Sequence, residues 1–140
     1  MKLAIAARLA ALLIAFANCT VIHAQEDAAR AYPNKPVRLV LGYTVGGGTD
    51  IVARMVGTKL GQSLGQPFIV ENKAGAQSII AAQYVAKAPA DGYTLLVGPS
   101  GPMTVNPATY AKLPYSPSRD FVPVSMIGTS PVFLVVSIAY

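Results

Sequence analysis

The stretch Val37-Arg-Leu-Val-Leu41, Gly42-Tyr-Thr-Val-Gly-Gly-Gly-Thr-Asp50, Ile51-Val-Ala-Arg-Met-Val56 decides how this 140-residue chain is read. An apolar run of strand length passes through three adjacent glycines into a segment of helical periodicity. Val37–Leu41 is almost continuously apolar, as expected of a strand covered on both faces. Val52, Val56, Leu60 and Leu64 then recur four apart, with Ile51 and Met55 beside them. That spacing predicts a helix with one broad apolar face, stopping near Gly65 with Pro67 just beyond.

Working outward, the same alternation continues. Phe68–Val70 reads as a second strand, Glu71–Gly75 as a polar turn, and Ala76–Ala88 as a second helix built on Ile80, Ala81, Tyr84 and Val85. Pro89 and Asp91-Gly92 end it. Tyr93–Gly98 is the third strand, Pro107–Lys112 a short helix, and Pro114–Pro117 an ordered surface loop. Phe121–Ile127 and Val132–Ile138 are again strand-like. Strands alternating with helices argue for βαβ units and a mostly parallel α/β sheet. The chain stops directly after an apolar run, and an uncovered edge strand invites aggregation. It is therefore expected to be a fragment of a longer protein.

Gly42, then Gly47 with Gly48-Thr49, nearly spells a phosphate-binding loop, but glycine stands where the lysine belongs. Nor does the dinucleotide pattern register on Gly42, Gly46, Gly47 and Gly48. Two readings remain: a nest of backbone N–H groups for a carboxylate, phosphate or sulfate, or a tight turn needing glycine for geometry alone. In the first, Thr49 caps the helix or donates its hydroxyl to the ligand, and Tyr43 supplies an aromatic wall with a polar tip. Asp50, in the first helical turn, is read as bracing the loop amides in preference to touching a ligand. The second corner, Glu71–Ala76, and the third, Gly98–Gly101, are expected at the same sheet edge, where ligands of parallel sheets bind. There Ser100 and Asn106 offer neutral hydrogen bonds and Lys73 a charge, each with an ordinary alternative as a turn or surface residue.

The N-terminus has the layout of a secretory signal peptide: Lys2 and Arg8 among small and apolar residues, an apolar segment Leu9–Ala17, then a polar turn. Cleavage is expected after Ala24, followed by a tail over 25–36 and a lobe over 37–140. The alternatives are a retained anchor, or lipidation at Cys19, whose preceding Phe16-Ala17-Asn18 match such a site poorly. Cleavage at Ala24 removes the single cysteine, Cys19, and the single histidine, His23. The remaining chain then excludes disulfides, a thiol nucleophile, a Cys/His zinc site and histidine-based triads. No catalytic group, metal or cofactor is expected. The full chain carries 11 basic and 6 acidic residues, a formal +5. Losing Lys2 and Arg8 leaves +3, scattered singly along the chain, with no run that would track a nucleic acid.

Several blocks together resemble one family. They are Tyr32-Pro-Asn-Lys-Pro-Val-Arg-Leu-Val40, Gly46-Gly-Gly-Thr-Asp-Ile-Val-Ala-Arg54, Leu64-Gly-Gln-Pro-Phe-Ile-Val-Glu-Asn-Lys-Ala-Gly-Ala76, Ala90-Asp-Gly-Tyr-Thr-Leu-Leu-Val-Gly98, Asn106-Pro-Ala-Thr-Tyr-Ala-Lys-Leu-Pro-Tyr115 and Asp120-Phe-Val-Pro-Val-Ser125. This series is similar to the Bug family, the TctC-type extracytoplasmic solute receptors of tripartite tricarboxylate transporters. The resemblance runs from about Tyr32 to about Val136. It implies a lobe of a type II periplasmic binding protein fold, in which loops hold a small organic acid for delivery to membrane partners.

The family's first binding loop, P-F-x-P-G-G, corresponds to Gly42–Gly47, with both prolines lost. This makes Tyr43, Thr44, Gly46, Gly47, Thr49 and Asp50 ligand-binding candidates. The R-P-G-A-G-G turn maps to Lys73–Ser78, adding Gly75 and Ala76. The third loop maps to Gly98, Ser100, Gly101 and Asn106, with Pro99 and Pro102 unusual there. The expected function is a noncatalytic periplasmic receptor for a di- or tricarboxylate, or an amino acid, working with membrane components of the transporter. The alternatives are a secreted α/β enzyme acting on anionic substrates and a fragment without activity.

Overall fold

The computed structural model describes residues 32–131 and 133–137. The signal peptide assigned to 1–24 and the tail as far as 31 lie outside the described residues. Five main elements build the frame: β1 (Val37–Leu41), α1 (Gly48–Leu64), β2 (Phe68–Asn72), α2 (Ile79–Ala86) and β3 (Thr94–Leu96). Two four-residue helices follow, α3 (Asn106–Thr109) and α4 (Pro117–Asp120).

The sheet has the order β2-β1-β3, with both pairings parallel. Val37 lies opposite Phe68 and Leu41 opposite Asn72, while Arg38 faces Thr94 and Val40 faces Leu96. Backbone bonds from Arg38 N–H to Tyr93 O and from Val97 N–H to Val40 O carry the third strand one residue past each end of its ladder. The two parallel crossovers, from β1 to β2 and then from β2 past β1 to β3, run in opposite directions across the sheet and so place α1 and α2 on opposite faces, given the right-handedness of such connections. Side chains agree: Leu39 meets Gly57 of α1, whereas Arg38 donates to Tyr84 Oη of α2 at 2.6 Å. Covered on both sides, Val37, Val40 and Leu41 are fully buried and Leu39 is nearly so. Burying such side chains stabilises by about 1.5–3 kcal/mol each.

Helix α1 corrects the expectation about its packing face. Of the expected face, Ile51, Val52, Met55 and Leu64 are 53%, 44%, 65% and 43% exposed and Val56 and Leu60 are half-buried, while Asp50, Ala53 and Gly57 are the buried positions. Ala53 and Gly57, four apart on this stripe, are small and let the helix axis approach the sheet closely. A Cβ on Gly57 would stand 3.2 Å from Leu39 Cδ1 and 3.2 Å from Phe68 O. Periodicity located the helix, but closeness of approach selected its inner face. The helix ends as expected, on Gly65 in the left-handed region (φ 73°), whose N–H bonds Gly61 O.

Three further differences follow from backbone requirements. β2 runs through Glu71 and Asn72, because Lys73 N–H still bonds Leu41 O. The second helix starts at Ile79 and not at Ala76, since Ala76, Gln77 and Ser78 have φ of 47°, 53° and 68°. Finally, no described residue of 121–137 enters a ladder, and Val122, Val124, Leu134 and Val136 are largely exposed. An apolar alternating run supplies one strand, but a strand exists only where a partner edge accepts its bonds.

Before β1, Tyr32 Oη donates to Gly92 O at 2.7 Å and Asn34 N–H donates to Tyr93 Oη at 3.0 Å. These bonds tie the approach to β1 to the start of β3.

Candidate functional site

All three strands run the same way, so their C-terminal ends release three loops at one edge of the sheet. The first loop, 42–47, is held by Asp50. This side chain is 2% exposed, yet its two oxygens accept from Gly46 N–H, Arg54 Nε and Nη2, and Asn72 Nδ2, each at 2.9 Å. Asn72 Nδ2 also donates to Tyr43 O at 3.0 Å, and its Oδ1 accepts from Arg54 Nη2 at 3.1 Å. The carboxylate therefore fastens the loop, its own helix and the end of β2 together. The Arg54 hydrogen bonds, then the Gly46 amide and Asn72, hold the Asp50 carboxyl well below the usual carboxylate range against the opposing effect of burial.

Helix α1 opens on Gly48, with Gly47 as its cap residue and no side chain bonding its first-turn amides. Thr49 therefore does not cap the helix, which corrects that expectation. Gly46, at φ 84°, needs the left-handed freedom of glycine to aim its N–H at Asp50.

The second loop carries the left-handed turn Ala76–Ser78. A non-glycine residue in this region costs about 1–2 kcal/mol, and here three are consecutive. Two bonds hold the turn: Ser78 N–H to Gly75 O at 2.9 Å, and Asn106 Nδ2 to Gln77 O at 2.8 Å. Ser78 is 1% exposed and its Oγ has no partner among the described residues. It packs directly over Gly42, where any Cβ would overlap the serine side chain. Gly42 is thus required by its neighbour across the sheet edge and not by its own backbone angle.

The third loop leads through Ser100 into a widened helical turn, Gly101–Val105, in which Asn106 N–H bonds Gly101 O five residues back. Tyr115, 5% exposed, pins this turn by donating from Oη to Pro102 O at 2.7 Å.

Between these loops lies a cavity of about 550 Å³. Tyr43 of the first loop and Gln77 of the second line it, with Ser100, Gly101, Val105, Asn106, Thr109 and Tyr110 from the segment after β3. Its walls are hydroxyls, amides and aromatic surface. A second hollow of about 310 Å³, reached from the other end of the sheet, is bordered by Lys35, Arg38, Asp91 and Tyr93 among others. Its cations are already engaged, Arg38 with Tyr84 and Thr94 Oγ1, and Lys35 with Asp91. The larger cavity is the better candidate because it lies where the three loops converge.

Of the residues singled out from the sequence, Tyr43, Ser100, Gly101 and Asn106 border this cavity. Thr44, Gly46, Gly47, Gly75 and Ala76, and Thr49 and Asp50 at the start of α1, do not line it. Gln77, Val105, Thr109 and Tyr110 were not among the candidates. Arg54, four residues after Asp50 on one helix face, could have been paired with it from spacing alone. Asn72, far from both in sequence, gave no such signal.

Comparison with known proteins bears on what this edge does. The sequence profile described as tripartite tricarboxylate transporter family receptor, TctC, matches residues 52–140. The chain belongs to this receptor family. Among its relatives, Protein BugT of Bordetella pertussis is 42% identical over 109 residues, which cover 77% of this chain and 33% of BugT. Among solved structures, MatC from Rhodopseudomonas palustris with bound malate is 41% identical with a TM-score of 0.66, over 69% of this chain and 33% of MatC. A second R. palustris protein, with adipate, is 41% identical with a TM-score of 0.60, over 62% of this chain and 29% of its own. The chain spans about a third of the length of the curated relatives it matches. The α/β fold with a parallel sheet agrees with a further solved relative, the periplasmic binding protein BugD, 38% identical with a TM-score of 0.61 over 64% of this chain and 30% of BugD.

Proposed function

We propose that this member of the TctC receptor family is a periplasmic solute-binding receptor that grips a small carboxylate with its strand-to-helix loops and presents it to the membrane components of a transporter. The observation that carries the reading is the convergence of three loops, from the C-terminal ends of three parallel strands, on one neutral polar cavity. Ligands of parallel sheets sit at this edge. Relatives described with malate and with adipate support a di- or tricarboxylate as the ligand class.

Tyr43 Oη, Ser100 Oγ, Tyr110 Oη and the Gln77 amide are the side-chain groups that can donate into the cavity, whereas the Thr109 hydroxyl already donates to Val105 O at 3.0 Å. The uncapped first-turn amides after Gly47, with Thr49 beside them, add donors on the same edge. Ordered water completes contacts too long for direct bonds. Such a site binds and releases without chemistry, so its role is reception and not catalysis. The chain reaches the periplasm through a signal peptide cut after Ala24.

Isothermal titration of the purified chain with malate, adipate and citrate tests the reading. Heat of binding with one of them, weakened by Ser100→Ala and Tyr43→Phe, is expected. Absence of binding to every one of these acids refutes it. Intact mass of the exported protein checks cleavage at Ala24.

A further inference from the structure

Asn106 is 2% exposed, borders the cavity, and spends its side-chain donor on Gln77 O at 2.8 Å. Gln77 is the middle residue of the left-handed turn, with φ 53° and ψ 40°. The residues on either side, at φ 47° and 68°, are not glycine either. A turn of this kind persists only where its surroundings over-determine it. The Gly75 O to Ser78 N–H bond closes the turn from within, so Asn106 is the outside group that fixes the direction of the Gln77 carbonyl. Fixing that peptide also fixes the stem from which the Gln77 side chain enters the cavity lining. The clamp is itself anchored, since Asn106 N–H bonds Gly101 O and Tyr115 pins Pro102 in the same turn. One amide thereby couples the loop after β2 to the segment after β3.

We propose that Asn106 is a positioning residue that acts on the ligand site through Gln77, by holding the Ala76–Ser78 turn left-handed so that Gln77 faces the ligand. The proposal rests on the cavity being the ligand site, but the clamp itself can be tested without any ligand. A glycine at 77 adopts positive φ at no steric cost, so it no longer needs the clamp. Asn106→Ala should therefore matter in the parent chain and lose most of its effect in a Gln77→Gly background. This is a double-mutant cycle, which isolates the coupling between the two positions.

The test compares the parent, N106A, Q77G and N106A/Q77G. The ligand-free readout is the one-bond Cα–Hα coupling of residue 78, which separates positive from negative φ, together with the melting temperature. N106A is expected to move the residue 78 coupling in the parent and to leave it nearly unchanged in the Q77G background. Titration with malate and adipate adds the second readout. N106A should weaken binding about five- to tenfold in the parent, the population change that one hydrogen bond of ordinary strength sustains, and less than twofold beside Q77G. Asn106→Leu, which nearly keeps the volume and removes the donor without adding a charge, should reproduce N106A.

An unchanged coupling at residue 78 in N106A overturns the proposal, as does an equal loss of melting temperature in both backgrounds. If N106A folds only beside Q77G the clamp is supported, and if it folds in neither background the clamp is rejected. If the parent binds neither acid, the coupling and melting data still decide the clamp, and the failure belongs to the proposed ligand.

Discussion

Replacing Tyr115 with phenylalanine removes one oxygen and nothing else. That oxygen donates to Pro102 O at 2.7 Å in a buried setting, with the residue 5% exposed. Its ring meets Phe121 edge-on, with centroids 6.0 Å apart and an interplanar angle of 88°, and phenylalanine keeps that contact. The loss is therefore the hydrogen bond plus the desolvation of an orphaned Pro102 carbonyl. Groups of this kind cost about 1–3 kcal/mol when left unpaired, and a single neutral acceptor belongs in the lower half, about 1.5 kcal/mol. At an unfolding entropy of about 2.1 cal/mol/K per residue, each 1 kcal/mol moves the melting temperature of a chain this long by about 3–4 °C, so Y115F should melt about 5–6 °C below the parent. Tyr110→Phe is the matched control, because Tyr110 is 45% exposed and its hydroxyl has no partner among the described residues. Far-UV circular dichroism melts of both variants are the assay. Equal melting temperatures for Y115F and Y110F would sink the claim that Tyr115 pins the turn carrying Ser100 and Gly101.

Three other outcomes are expected. Gly42→Ala should destabilise by about 1–3 kcal/mol through overlap with Ser78, and Ser78→Gly should recover much of that loss in the double variant, as read from urea midpoints. Gly57→Val should cost about 1–3 kcal/mol by forcing α1 off Leu39 and Phe68, whereas Met55→Ser, on the exposed face, should stay within about 0.5 kcal/mol. Acid should weaken the fold. Arg54 holds the Asp50 carboxyl low, the Tyr93 amide that of Asp91, and Arg119 that of Asp120. Carboxyls with a folded pKa below the unfolded one stabilise fully above the unfolded value, near pH 4, and lose that contribution as pH falls through the folded value. Urea midpoints should therefore be level above about pH 5 and decline below about pH 4, with a shallower decline in Asp50→Asn.

The three strands of the sheet and the end of α1 were legible because each depends on a local signal, whereas the apolar runs after 120 gave the same signal and form no described strand. Val37–Leu41 is an apolar run of the right length, and Gly65 is the residue a left-handed helix cap prefers. The inner face of α1 was not legible from hydrophobicity, since Ala53 and Gly57 carry less apolar surface than the outward Ile51 and Met55. What selects them is the distance to a sheet that a sequence window does not contain. The turn at Ala76–Ser78 was hidden for a related reason: it contains no glycine, and the amide that holds it lies on Asn106. Tyr115, set between two prolines, read as surface and proved to be a buried anchor. In the candidate site, the loop positions were legible from strand ends, whereas Gln77, Thr109 and Tyr110 required the third dimension.

The strand order also sets how the molecule comes into being. β1, the central strand, meets no partner that is near it in sequence, since Val37 pairs with Phe68 and Arg38 with Thr94. None of its ladder bonds can form until a whole crossover has been made and closed. Local helices can form early, but the sheet must wait for distant chain, which favours slow folding with late, concerted assembly. The loop edge with its candidate site is then an all-or-none product of that assembly, because the three loops acquire their relative positions only when both pairings exist. A chain arrested before residue 94 would still have its glycine loop and first helix, but no cavity for them to face.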